Sequence, residues 1–269
     1  MYETDYIVKH YTPADSDTRS EDDRLTSKHG SVEFLTTMRY IEKYLEPGGR
    51  IIEIGAATGR YSHTLARMGY TVDAVELVPH NIDIFRSKIT PDETITITQG
   101  DARDLSSFAD DTYDLTLLLG PLYHMFTIED KRQTISEALR VTKPGGVIFA
   151  AYCMSDAALM EGSFRNKRWN MADFIDKGFV NMETFETRSA PKLVFEIVRK
   201  EQIDTVMAAF DVERLHFIAT DLYTNHMPDE IDAMDEETFA LYLRYHFSIC
   251  ERPDMIGLSH HSLDVFRKV

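Results

Sequence analysis

The segment Ile51-Ile52-Glu53-Ile54-Gly55-Ala56-Ala57-Thr58-Gly59-Arg60-Tyr61 governs the reading of the whole chain. An apolar run that ends in a carboxylate and two glycines is the pattern of a strand that stops abruptly against a ligand. Glycine lets backbone N–H groups approach where a side chain would stand in the way. Tyr61 to Met68, with Leu65 and Met68 at helical spacing, then opens a helix. Strand, turn and helix together make the first unit of a doubly wound sheet.

The spacing discriminates among ligands. A dinucleotide loop, G-x-G-x-x-G, needs glycine at its third place for close packing of helix on strand. Gly55 fits the first place, but Ala57 holds the second and Arg60 the third, and no G-K-[ST] follows to make a phosphate loop. Further units succeed the first in order. Thr71-Val72-Asp73-Ala74-Val75-Glu76 is a β-branched strand ending in an acid about 20 residues past the glycine loop, where a carboxylate can accept hydrogen bonds from ribose hydroxyls. Ile95 to Gln99 alternates apolar and polar residues before Gly100-Asp101-Ala102, and Tyr113 to Leu119 is an apolar run closed by Gly120-Pro121-Leu122-Tyr123-His124. Lys131 to Thr142 carries a helical stripe of Ile135, Leu139 and Thr142; Lys143-Pro144-Gly145-Gly146 stops it, and Val147 to Tyr152 is a fifth strand.

In this order Glu53-x-Gly55-x-Ala57-x-Gly59, Glu76, Asp101, the turn after Leu119 and the Pro-Gly-Gly break resemble class I S-adenosylmethionine-dependent methyltransferases. The small-molecule enzymes of the ubiquinone and menaquinone biosynthesis group are the most similar in arrangement. Ala57 stands where that family usually carries a glycine. The resemblance implies an α/β fold, a doubly wound, mostly parallel seven-stranded Rossmann-like sheet with its last strand antiparallel, and S-adenosylmethionine as cofactor. It also implies roles: Glu76 for the ribose, Asp101 for the adenine amine, the Leu119 carbonyl for the methionine amine, and Gly55 and Gly59 for close approach. Glu53, Ala57, Tyr61, Leu77, Ala102 and Gly120 complete the cofactor set, and no metal is implied. Each acid has a structural alternative: Glu53 as a turn cap, Glu76 as a strand-end ion-pair partner, Asp101 as a helix start.

A sulfonium is already a good leaving group, so alignment of the acceptor and exclusion of water carry most of the catalysis. An acidic acceptor profits from a base, and histidine is the natural one. His124, after the fourth strand, is the candidate base, with Tyr123 orienting the acceptor. Both are equally readable as scaffold. His216, His246, His260 and His261 are weaker candidates.

The organisation expected is an N-terminal arm or cap over residues 1–30, in which Tyr6, Tyr11 and Arg24 are candidates to close over the cofactor, and a binding core over 31–154. A lid-like insert follows the fifth strand over 155–211, and two further strands with a connecting helix over 212–269 complete the sheet. In the insert, Thr184 to Arg188 and Leu193 to Val198 read as a hairpin around Pro191. Trp169 and the row Tyr242, Tyr245, His246 and Phe247 are expected over the carboxyl ends of the strands.

Hydrophobic residues make up 43% of 269, without an 18-residue apolar run. Cys153 and Cys250 are too few and too distant for a disulfide framework or zinc site. These features, and the absence of a signal-like start, point to a cytoplasmic protein. A formal charge of -16 disfavours nucleic acid as a partner. A small-molecule acceptor, no membrane, and a monomer or homodimer are the expected company. The competing functions are an NAD-dependent oxidoreductase and a noncatalytic S-adenosylmethionine-binding protein.

Overall fold

A computed structural model describes residues 3–12 and 25–269. Eight strands are found among them: β1 (Arg50–Ile54), β2 (Thr71–Glu76), β3 (Ile95–Gln99), β4 (Tyr113–Leu118), β5 (Thr142–Met154), β6 (Ile197–Val198), β7 (Val212–Ala219) and β8 (His261–Lys268). Seven lie in the order β3-β2-β1-β4-β5-β8-β7, and short β6 pairs with the end of β5. β1 to β5 run parallel, whereas β8 is antiparallel to both β5 and β7. The mostly parallel sheet with an antiparallel last strand is the expected one.

The central strands read as apolar runs because helices cover both of their faces. Ile51, Ile52 and Ile54 of β1 and Leu115, Leu117 and Leu118 of β4 are all buried. β1 pairs with β2 on one side and β4 on the other, so the chain reverses its direction of winding there. Open α/β sheets bind ligands at the carboxyl edge of such a reversal.

The helices that matter to that edge are α1 (Glu3–Tyr11), α2 (Lys28–Ile41), α3 (Arg60–Arg67), α4 (Pro79–Ser87) and α5 (Ile128–Val141). The insert and C-terminal part add α6 (Ser155–Leu159), α7 (Met171–Asp176), α8 (Lys200–Met207), α9 (Pro228–Asp232) and α10 (Glu236–Ile249). Side-chain caps set two of the starts. Ser27 accepts from the Gly30 N–H, so α2 begins ahead of its apolar stripe, and Thr127 accepts from the Asp130 N–H at the head of α5.

Residues 3–11 of the N-terminal arm are a helix, and the buried Ile7 anchors it; Arg24 lies outside the described residues. Two expectations need correction. The hairpin of the insert does not form. A single antiparallel bridge joins Val180 to Thr187, and Ile197–Val198 instead pairs in parallel with Cys153 and Met154. Phe185 and Val194 sit at φ +55 and +65, which no extended strand tolerates, and the Glu196 N–H is spent on the Tyr123 carbonyl at 2.7 Å. Finally, the aromatic row of α10 faces elsewhere. His246 bonds Thr36 of α2 at 2.9 Å, Tyr242 bonds Thr224 at 2.7 Å, and Tyr245 is exposed. Trp169 packs on Gly162 and stacks on Phe174.

Candidate functional site

Two cavities open at the carboxyl edge. The first, about 740 Å³, is walled by the ends of β1, β2 and β3, the turn after β4 and, from above, Thr4, Ile7 and Tyr11 of α1. It brings together Gly55, Ala57, Glu76, Leu77, Asp101, Ala102, Gly120, Tyr123 and His124 of the sequence-derived candidates. The second, about 640 Å³, shares Gly55, Ala57, Gly120 and Tyr123 with the first and adds Glu53, Tyr61 and Leu119. Gly59 lines neither cavity.

The loop after β1 explains its own composition. Gly55 has φ +77, and a Cβ there would lie 2.6 Å from Pro121 Cδ. Gly59 has φ +92, and its Cβ would meet the Phe85 ring at 2.5 Å. Gly59 therefore serves the seating of α3 against α4 rather than contact with the cavities. Between them Ala57 adopts φ +47, a strained value for a residue with a side chain, and its N–H donates to Glu76 Oε2 at 2.8 Å.

Glu76 is held at the floor of the first cavity. Its Oε1 accepts from the Val78 N–H at 2.8 Å and from Asn81 Nδ2 at 3.3 Å. Burial raises its pKa, and these bonds offset part of the rise. Asp101 accepts from the Arg103 N–H at 2.9 Å and from Arg103 Nη2 at 2.7 Å. Burial works against its ionisation, but the Arg103 bonds and charge outweigh it and hold the carboxyl below its usual range. Glu53 faces inward: its Oε2 accepts from the Ser62 N–H at 2.9 Å and from the Ser62 hydroxyl. Burial pushes this carboxyl up to about 8, the Ser62 bonds offsetting only part of the effect.

His124 is buried, and both ring nitrogens have partners. Nδ1 lies 2.8 Å from the Val194 carbonyl, which can only accept, so Nδ1 carries the proton. In the neutral ring Nε2 then accepts from the Tyr11 hydroxyl at 3.1 Å. Tyr123 donates to the Leu119 carbonyl at 3.2 Å. Of the weaker histidines, His216 bonds Tyr44 and Glu251, and burial pushes His246 down to about 4. His261 lines the second cavity beside Glu33. Asn81 and Arg103, which fix the two cavity acids, were not identified from sequence; Arg103 stands two residues past Asp101, a spacing that offers a bond back to its carboxylate. Asp221 and Glu33 carried no local signal, being brought to His261 only by the fold.

A methyltransferase-domain family matches residues 52–150, which hold the glycine loop, both cavity acids and the turn after β4. Demethylmenaquinone methyltransferase of Clavibacter sepedonicus is 33% identical over 102 residues, covering 38% of this chain and 40% of that protein. Ubiquinone biosynthesis O-methyltransferase of Methylocella silvestris is 30% identical over 132 residues, covering 47% and 48%. The chain thus spans less than half the length of these curated relatives. A solved S-adenosylmethionine-dependent methyltransferase of Methanosarcina mazei shares the fold, with TM-score 0.57 at 17% identity over 86% of this chain and 97% of that one. Glycine loop, strand-end acids, strand order and family match agree, and residues 52–150 are the core of a class I S-adenosylmethionine-dependent methyltransferase domain.

Proposed function

We propose that this chain transfers a methyl group from S-adenosylmethionine to an O, N or C atom of a small molecule. The observation that carries the proposal is the convergence of Glu76 and Asp101 on one cavity with the glycine loop of β1. The donor set fits the cofactor. Glu76 Oε2 accepts one N–H and a carboxylate oxygen takes two bonds, so it has capacity for a ribose hydroxyl. Asp101 Oδ2 has the same capacity for the adenine amine, with Leu77 and Ala102 as its apolar neighbours in the cavity. Glu53, Tyr61, Leu119 and Gly120 belong to the methionine end, where a wall shared by both cavities makes the passage from cofactor to acceptor.

When bound, the cofactor supplies a methyl carbon on a sulfonium, so no nucleophilic side chain or metal is called for. The protein aligns and dehydrates, an effect worth roughly 7–11 kcal/mol when attack geometry is right. Helix α1 and the insert, residues 155–211, act as cap and lid. Tyr123 shapes the wall between the cavities and His124 lines the first; the Val194 and Tyr11 bonds of His124 make it a positioning residue in the closed form. No helix among the described residues is long and apolar enough to cross a membrane. We place the chain in the cytoplasm as a monomer or homodimer acting without nucleic acid, consistent with its charge of -16.

Titration calorimetry tests the reading. Wild-type protein binds S-adenosylmethionine, whereas Glu76→Ala loses about 1–3 kcal/mol of that affinity through missing hydrogen bonds. Equal affinity of the two proteins refutes the role of Glu76, and nicotinamide dinucleotide binding in place of S-adenosylmethionine restores the oxidoreductase alternative.

A further inference from the structure

The second cavity contains a preorganised acid–imidazole pair that the cofactor does not require. His261, at the head of β8, donates from Nδ1 to Asp221 Oδ2 at 2.7 Å. Asp221 follows β7 and is fully buried. Its Oδ1 accepts from the Ser259 hydroxyl at 2.5 Å and from the His260 N–H at 2.8 Å, and Asn225 Nδ2 donates to Oδ2 at 2.9 Å. A carboxylate so anchored fixes both the tautomer and the plane of the imidazole that it faces, the relation found between base and orienting group in acyl-transfer enzymes. The other titratable neighbours of the ring are Glu33 of α2, whose Oε2 lies 3.4 Å from Nδ1, the thiol of Cys153 on β5, and His260 next in the chain.

Resting on the methyltransferase reading, we propose that the part of the second cavity beyond the methionine end is the acceptor chamber and that His261, aligned by Asp221, pairs as an imidazolium with the oxyanion of an acidic hydroxyl on the acceptor. Nδ1 is committed to Asp221 and the Cys153 thiol also bonds the ring, so a partner gained from the cavity comes at Nε2 in exchange for the thiol. The acceptor O–H bond breaks with its electron pair left on oxygen, and its proton passes to solvent. The imidazolium, which keeps its Nε2–H, faces the oxyanion that becomes the nucleophile. An acceptor arriving already ionised, to meet a protonated ring, reaches the same state. Two carboxylates beside the ring favour the imidazolium and raise its pKa well above the usual histidine range against the opposing effect of burial. That charge selects for an oxyanion and against an ammonium acceptor, which would set two cations together. Tyr61 and Tyr123 in the same walls offer aromatic faces to a ring that carries the hydroxyl.

The probe is 4-nitrophenol, whose absorbance separates phenol from phenolate, added to protein saturated with S-adenosylhomocysteine. Wild-type protein binds it as phenolate at a pH where the free compound is largely protonated. His261→Asn keeps a donor for Asp221 and loses about tenfold or more in affinity together with the spectral shift, as expected for a lost charged hydrogen bond; Asp221→Asn weakens both. S-adenosylhomocysteine affinity falls by much less than probe affinity in both variants, because neither residue lines the first cavity, which holds Glu76 and Asp101. Binding of the probe without ionisation, equal binding by His261→Asn, absence of binding to the loaded wild type, or preference for phenethylamine over the nitrophenol each overturns the proposal. Failure of S-adenosylhomocysteine to bind wild-type protein overturns instead the cofactor reading beneath it.

Discussion

Ala57 carries a conformation suited to glycine: φ +47, with its N–H turned onto Glu76. A left-handed alanine costs roughly 1–2 kcal/mol, while a glycine loses more chain entropy on folding, about 0.5–1 kcal/mol. Ala57→Gly is therefore expected to leave cofactor affinity intact and to raise stability by up to about 1 kcal/mol, readable as a higher urea midpoint; a clear fall in the midpoint contradicts the strain. Glu53 makes a prediction in pH. Its folded pKa, about 8, lies above its unfolded value, so the folded state binds the extra proton and stability is lost as pH rises from the ordinary carboxylate range through about 8. Glu53→Gln can accept the same Ser62 bonds and carries no charge to bury. Its stability relative to wild type should improve between pH 6 and pH 9 in thermal melts, and a constant difference refutes a neutral Glu53. At this scale the sequence exposed the acids because each stands at or just past the end of a strand, but not how they are held. Glu53 and Glu76 look alike in sequence, yet one is turned to Ser62 and the other to the cavity floor.

Among the elements, α1 has the most to gain from closing the cavity and the least support from the core. Thr4, Ile7 and Tyr11 line the cleft, and Tyr11 bonds the ring of His124. Ile7 is a buried isoleucine worth about 1.5–3 kcal/mol when fully covered. Removal of residues 1–12 is expected to weaken S-adenosylhomocysteine binding by about tenfold or more, while far-ultraviolet dichroism otherwise keeps the signal of the sheet. Unchanged affinity shows that α1 lies over the cleft without contributing to it. The strands from β1 to β5 were legible in advance because two-sided burial leaves them nearly unbroken apolar runs. The insert was not. Thr184 to Arg188 has strand-like composition, yet Phe185 takes a positive φ and the next segment finds its partners on Tyr123 and at the end of β5.

For the whole molecule, the repeated strand-helix units made the doubly wound, mostly parallel sheet legible, whereas the strand order and its reversal between β1 and β4 came from the structure. A local reading cannot find pairs such as His261 with Asp221 or His124 with Val194, 40 and 70 residues apart, since neither pattern nor propensity links them. The aromatic row of α10 shows the converse error. Its composition invites a role at the ligand, but the helix is docked on α2, and His246 is used there to satisfy Thr36.

The insert is tied to the turn after β4 at two points, through the Val194 carbonyl on His124 and the Glu196 N–H on the Tyr123 carbonyl. If the insert swings away to admit an acceptor or discharge a product, both ties break and the imidazole of His124 is released to solvent. The residence time of product would then depend on the strength of two bonds remote from the reacting atoms, and a nitrogen-15 label in that imidazole would report each departure.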